Sequence, residues 1–159
     1  MSDKHTMKTI LKYICILTLI IFITSELSCS SASSESINWY TYKQGIELSK
    51  KEGKKIFLYF YADWCTYCKK MEKETFNNNS VSSYITDNFI PIKVNSDREV
   101  KIALDFGVKG LPSTWFITEN GERIGNLPGY LASKRLLDFL KYINTDSFKK
   151  MTFRKFLGL

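Results

Sequence analysis

Cys65 and Cys68 stand three residues apart in the run Ala62-Asp63-Trp64-Cys65-Thr66-Tyr67-Cys68. Two thiols at that spacing can close a disulfide, share a metal ion or simply pack. A zinc site needs four ligands, and the chain offers only one histidine, His5, and two other cysteines, Cys15 and Cys29. A two-thiolate copper(I) site survives that count, because soft ligands select that ion; no other metal is expected. Redox exchange suits the position better, since the pair falls between an apolar run and a polar, helix-forming one. A cysteine at a helix N-terminus faces unpaired backbone N–H groups and the positive end of the helix dipole, and both favour thiolate over thiol. Cys65 is therefore the expected nucleophile, exposed to partners. Cys68, one turn inside, is the thiol expected to attack the resulting mixed disulfide. The dithiol is itself the working group, and no other cofactor is implied.

Further residues gather round the pair. Glu72, four residues after Cys68 and seven after Cys65, shares their face of a continuous helix. It could take the Cys68 proton before the resolving step or form a solvated pair with Lys69. Trp64 would cover the disulfide and offer apolar contact to a partner. Asp63 would lie exposed with its charge opposing the thiolate, and Thr66 and Tyr67 would influence the redox poise. Pro112 precedes an apolar run, where proline is tolerated at the first residue of a strand. X-Pro is the common site of a cis peptide, and a cis bond there would let Leu111 present its N–H and C=O to an extended peptide.

The elements that must position these residues follow from hydrophobic spacing. Residues 38–53 predict a helix on Trp39, Tyr42, Ile46 and Leu48, ended by Gly53. Residues 56–61 (IFLYFY) are apolar without a break, as in a strand covered on both faces. A helix runs from the cysteines to about Phe76, followed by a short helix over 80–88 and a strand over 89–95. Asp97 caps a helix over 97–106. A strand over 113–118 enters a two-residue turn at Asn120-Gly121 and returns over 122–126. Leu136, Leu137, Leu140 and Ile143 mark a closing helix over 133–143. This order predicts an α/β fold with a mixed sheet, parallel in its first part, and helices on both faces.

The run from Tyr61 to Lys69, continuing Met71-Glu72-Lys73-Glu74-Thr75-Phe76, is joined further on by Gly107-Val108-Lys109-Gly110-Leu111-Pro112-Ser113. Together they resemble the thioredoxin superfamily, and within it the C-terminal periplasmic thioredoxin-like domain of DsbD-type thiol:disulfide interchange proteins. The resemblance covers residues 39–143. It implies a thioredoxin fold with four to five strands, a cis Pro112 against the disulfide, an acid at Glu72, and reduction of protein disulfides. An oxidase or isomerase on the same fold is an alternative, as is a non-enzymatic peptide-binding or copper(I)-handling module. Two positions depart from the pattern: Tyr59 stands where thioredoxins carry a buried Asp, and Thr66-Tyr67 where common thioredoxins have Gly-Pro. No multi-span membrane domain fits in 159 residues, so the resemblance implies a stand-alone relative.

The ends read differently from the body. Lys4, Lys8 and Lys12 precede an apolar run over 13–23 and a small-residue exit, the pattern of a signal peptide or membrane anchor over 1–28. The run is shorter than the ~20 residues of a membrane span. Cys29 and the serine-rich tether over 29–36 resemble a lipidation site, with Glu26 in place of the usual aliphatic residue; Ser30-Ser31-Ala32 is a rival cleavage site. The thioredoxin-like domain is expected over 37–146 and a basic amphipathic tail over 147–159. That tail could rest on an anionic membrane surface or fold back on the domain. Net charge is +7, and removing 1–28 leaves 20 basic and 14 acidic side chains, with no nucleic-acid footprint. The expected setting is periplasmic or otherwise extracytoplasmic, with the protein a membrane-tethered monomer. Its expected partners are exported proteins that contain disulfides and a membrane electron donor of the thiol:disulfide interchange type.

Overall fold

The apolar run becomes strand β1 (Lys55–Tyr61), flanked by β2 (Phe89–Asn95) in parallel and β3 (Ser113–Ile117) antiparallel; β4 (Arg123–Pro128) completes the order β2-β1-β3-β4. The computed structural model describes residues 36–159, so the segment 1–28 and the tether with Cys29 lie outside the described residues. The mixed four-stranded sheet is the expected one, and Tyr40 adds only an isolated bridge to Ile92 on the β2 edge.

Because side chains alternate across a strand, β1 feeds two cores. Phe57 and Tyr59 meet Met71, Val81, Ile85, Phe116, Leu136 and Leu140 on one face. Ile56, Leu58 and Phe60 meet Ile92, Ala103, Phe106 and Ile117 on the other. Each such side chain stabilises the fold by about 1.5–3 kcal/mol. Helices α2 (Thr66–Met71), α3 (Asn79–Asn88) and α5 (Ser133–Asn144) cover the first face, while α1 (Tyr42–Glu52) and α4 (Val100–Asp105) cover the second.

Four boundaries differ from expectation, each for a physical reason. Helix α1 begins at Tyr42 because Thr41 and Gln44 form a reciprocal capping box. Trp39 is extended instead and packs on Phe57, Tyr59 and Phe76, with ring centroids 5.2–6.0 Å apart. The helix after the cysteines widens at Glu72–Phe76 into a π-helical turn. Helix α4 begins at Val100 with Glu99 at its N-cap and no side-chain cap, because residues 95–99 are held in a separate turn in which Glu99 N–H donates to Asn95 O (2.8 Å). The hairpin loop spans residues 119–121: Thr118 N–H donates to Glu122 O (2.8 Å), and of these three only Gly121 has positive φ, at 89°. A two-residue type I′ turn would need that conformation twice.

The tail folds back on the domain. Its last helix, α6 (Phe153–Phe156), sets Phe153 4.8 Å from the Phe139 ring and 5.3 Å from that of Tyr142. Tyr142 donates to Met151 O (2.6 Å), and Asp146 pairs with Lys55 and Lys149, each at 3.3 Å. Among the described residues no helix is long and apolar enough to cross a membrane.

Candidate active site

Beyond Tyr61 the chain turns sharply, and Cys65 N–H donates to Ala62 O (3.1 Å). Cys65 then occupies the N-cap of α2 with extended backbone, and Cys68 N–H donates to Cys65 Sγ (3.1 Å). The two sulfurs are joined in a disulfide, their Cα atoms 5.2 Å apart. Cys65 is 4% exposed and Cys68 1%. The expected exposure of Cys65 is therefore corrected: with its sulfur bonded to Cys68 and accepting from Cys68 N–H, Cys65 is buried against the first turn. It remains the more open of the two residues. The loop's exposed residues are Asp63, Trp64, Thr66 and Tyr67.

Two contacts brace that loop against the turn after β2. Trp64 Nε1 donates to Asp97 Oδ2 (2.8 Å), and Arg98 donates to Asp63 Oδ2 (2.8 Å). The Asp63 charge is thus matched by a cation instead of standing alone beside the sulfurs. Asn95 Oδ1 accepts from the backbone N–H of Asp97 and of Arg98 (3.0 and 3.3 Å), and Asn95 pairs with Tyr61 in the β1–β2 register. The end of the sheet therefore holds both halves of the brace.

Behind Cys68 lies Tyr59, fully buried, whose hydroxyl donates to Cys68 O (3.4 Å). Burial pushes its phenol pKa well up, with the charge of Glu72 and then Tyr61 adding to the effect. It therefore stays a protonated donor. Glu72 N–H also reaches Cys68 O as α2 gives way to the π-helical turn. The Glu72 carboxylate pairs not with Lys69 but with Lys93 of β2, at 2.9 Å. Lys93 Nζ in turn lies over the Tyr61 ring, 4.2 Å from its centre.

The Leu111–Pro112 peptide is cis. Pro112 is buried, and its carbonyl accepts from Gly129 N–H (2.8 Å). Leu111, half-buried, packs against both cores. Among the described residues no group of three or more His, Cys, Asp or Glu could hold a metal ion.

Sequence reasoning gave no part in the site to Asp97, read only as a helix cap, or to Arg98 or Lys93. The first two carried no local signal, since their partners lie 33 and 35 residues away. Lys93 did carry one, as the single charged residue in the β2 sequence FIPIKVN.

A buried CxxC at a strand-to-helix turn, with a cis proline just before strand β3, is the arrangement of a thioredoxin fold. Residues 42–144 match the family described as thioredoxin-like domain, and the chain belongs to it. It is 34% identical over 99 residues to the thiol:disulfide interchange protein DsbD of Haemophilus ducreyi, covering 59% of this chain and 17% of that protein. The chain thus spans less than a fifth of that curated relative. Among solved structures it is similar to a thioredoxin from Thermus thermophilus (TM-score 0.63, 25% identity, 69% of this chain and 88% of that one). It is likewise similar to the reduced DsbD C-terminal domain of Neisseria meningitidis (TM-score 0.54, 26% identity, 64% and 92%).

Proposed function

We propose that this protein is an exported thiol:disulfide oxidoreductase that reduces disulfides in other proteins. The observation that carries the reading is the Cys65–Cys68 disulfide, with Cys65 Sγ held by Cys68 N–H at 3.1 Å. In the reduced protein the same N–H stabilises a Cys65 thiolate. That thiolate attacks one sulfur of a substrate disulfide. The Cys65–S bond forms as the substrate S–S bond breaks, and the leaving sulfur departs as thiolate and takes a proton. Cys68 then loses its proton, attacks Cys65 Sγ and displaces the second substrate sulfur. Two electrons have passed from the dithiol to the substrate, and the Cys65–Cys68 disulfide remains. Glu72, one turn beyond Cys68, is the base that takes the proton. Leu111 and Pro112 hold the substrate main chain, and Trp64 gives it apolar contact.

Export rests on the charged and apolar pattern of residues 1–28, and tethering on Cys29 and its serine-rich sequence. A compartment kept oxidising requires a membrane dithiol donor to return the electrons. An oxidase running the same exchange backwards is separated by the reduction potential against glutathione, since a value near that of DsbA would sink the reductase reading. Insulin reduction by the wild type and by Cys65→Ser tests the enzyme itself, and equal rates would end the proposal. Cys68→Ser should accumulate mixed disulfides that identify the partners.

A further inference from the structure

The π-helical turn Glu72–Phe76 is an unexplained irregularity in the helix that carries the resolving cysteine. Such turns cost regular hydrogen bonding and cluster at functional sites. Here the turn delivers three groups to the loop between β4 and α5. Tyr130 Oη donates to Glu74 Oε2 (2.7 Å), Ser133 Oγ donates to Glu74 O (2.9 Å), and Thr75 Oγ1 donates to Leu131 O (2.6 Å). Lys70 Nζ lies 4.9 Å from the Tyr130 ring centre and 4.0 Å from Glu74 Oε2. The same loop begins at Gly129, whose N–H donates to Pro112 O (2.8 Å). A closed path of short bonds therefore runs from the Cys68 helix through Glu74 and Tyr130 to the cis-proline strand.

We propose that Tyr130, latched to Glu74, is a positioning residue for substrate: it sets the spacing between the Cys68 helix and the Leu111–Pro112 edge on which a substrate main chain lies. Tyr130 acts through the backbone bond from Gly129 N–H to Pro112 O. The π-helical turn has a purpose in this arrangement. Without its extra residue, Glu74 and Thr75 would be rotated about 100° on the helix and would face away from the loop. The bond to Glu74 also raises the Tyr130 phenol pKa, which gives the latch its own spectroscopic signature. The proposal rests on the reading above that Leu111 and Pro112 hold the substrate.

The test compares a peptide disulfide with a small aromatic disulfide that has no main chain to align. Tyr130→Phe, which keeps the ring over Lys70, should lower kcat/KM for the peptide about three- to tenfold, the loss of one charge-assisted bond in partial solvent. The rate with the small disulfide should stay within twofold of wild type, and the equilibrium constant with glutathione should do the same. Glu74→Gln, which still accepts from Tyr130, should stay closer to the wild-type peptide rate, and Glu74→Leu should show the same three- to tenfold loss as Tyr130→Phe and move the Tyr130 ultraviolet titration to lower pH. Equal losses on both substrates, or no loss on either, would overturn the latch. A wild type inactive on both would instead overturn the reductase reading, so the two failures are distinct. Were Tyr130→Phe to unfold, the Glu74→Gln and Glu74→Leu pair carries the same comparison.

Discussion

Replacing Lys93 with Met isolates the anchor of the proposed base. Lys93 Nζ is 2.9 Å from Glu72 Oε1, with the two side chains 24% and 39% exposed. Water screens a pair at that exposure, so it contributes about 0.5–1 kcal/mol. The cation over the Tyr61 ring adds a further 0.5–1 kcal/mol or so, roughly the value of an exposed cation–π contact. Met keeps an apolar stem against the tyrosines, and Glu72 is left solvated, not stranded. Lys93→Met should therefore cost about 1 kcal/mol in urea unfolding. A cycle with Glu72→Gln should give a coupling of about 0.5–1 kcal/mol. The kinetic arm uses the same four proteins and follows release of a peptide from its mixed disulfide with Cys65 by rapid mixing. If Lys93 acts only by holding Glu72, the double variant releases peptide no more slowly than Glu72→Gln alone. Two independent kinetic losses that add, or a coupling free energy of zero, would refute the anchoring.

Glu72→Gln by itself should slow release of that mixed disulfide more than its formation, and unchanged resolution kinetics would remove Glu72 from the mechanism. Asp97→Ala should free the Trp64 indole and change its fluorescence while costing about 0.5–1 kcal/mol in stability, because the bond is exposed; an unaltered spectrum would show that the brace does not hold in solution. Burial works against ionisation of Asp146, but the ammonium groups of Lys149 and Lys55, each 3.3 Å away, outweigh it and hold its pKa below the usual carboxylate value of 3.8. A depressed carboxylate stabilises the fold fully above that value, and the contribution fades as pH falls through the folded pKa. Asp146→Asn, which tolerates the left-handed φ of 56°, should therefore flatten the acid limb of the stability curve below about pH 4. A limb unchanged in slope would reject the assignment. Met71→Ala, in the same core cluster as the two cysteines and fully buried, should cost about 2–5 kcal/mol in denaturant unfolding; a loss under 1 kcal/mol or so would mean the core collapses readily around the site.

The central strand was legible because burial on both faces leaves an unbroken apolar run, and 56–61 is one. The cysteine pair and Pro112 were legible because their chemistry sits in short motifs. What escaped was decided by long-range contacts. Trp39 reads as part of a helix until Thr41 and Gln44 are seen to start that helix later, and its true neighbours lie on β1 and at Phe76. Asp97 has the chemistry of a helix cap, but Asn95 holds residues 97–99 in a turn ahead of the helix, and the Asp97 carboxylate accepts from an indole N–H of another loop. No local propensity marks the π-helical turn, since Glu72, Lys73 and Glu74 suit an ordinary helix equally well; its bonds to residues 130–133 select it. The tail's aromatics showed amphipathic character, but only packing on Tyr142 and Phe139 reveals which surface they cover.

Leu111 touches the side chains of both cores, and that position has a consequence for how this protein can change. The two helical layers are separated by the sheet, and most substitutions in one are invisible to the other. At Leu111 the insulation fails. A volume change in either layer arrives at the residue proposed to grip the substrate, so stability and substrate preference are coupled through a single side chain. Variants selected only for a firmer fold will drift in what they bind, and the drift should diminish when residue 111 is held fixed.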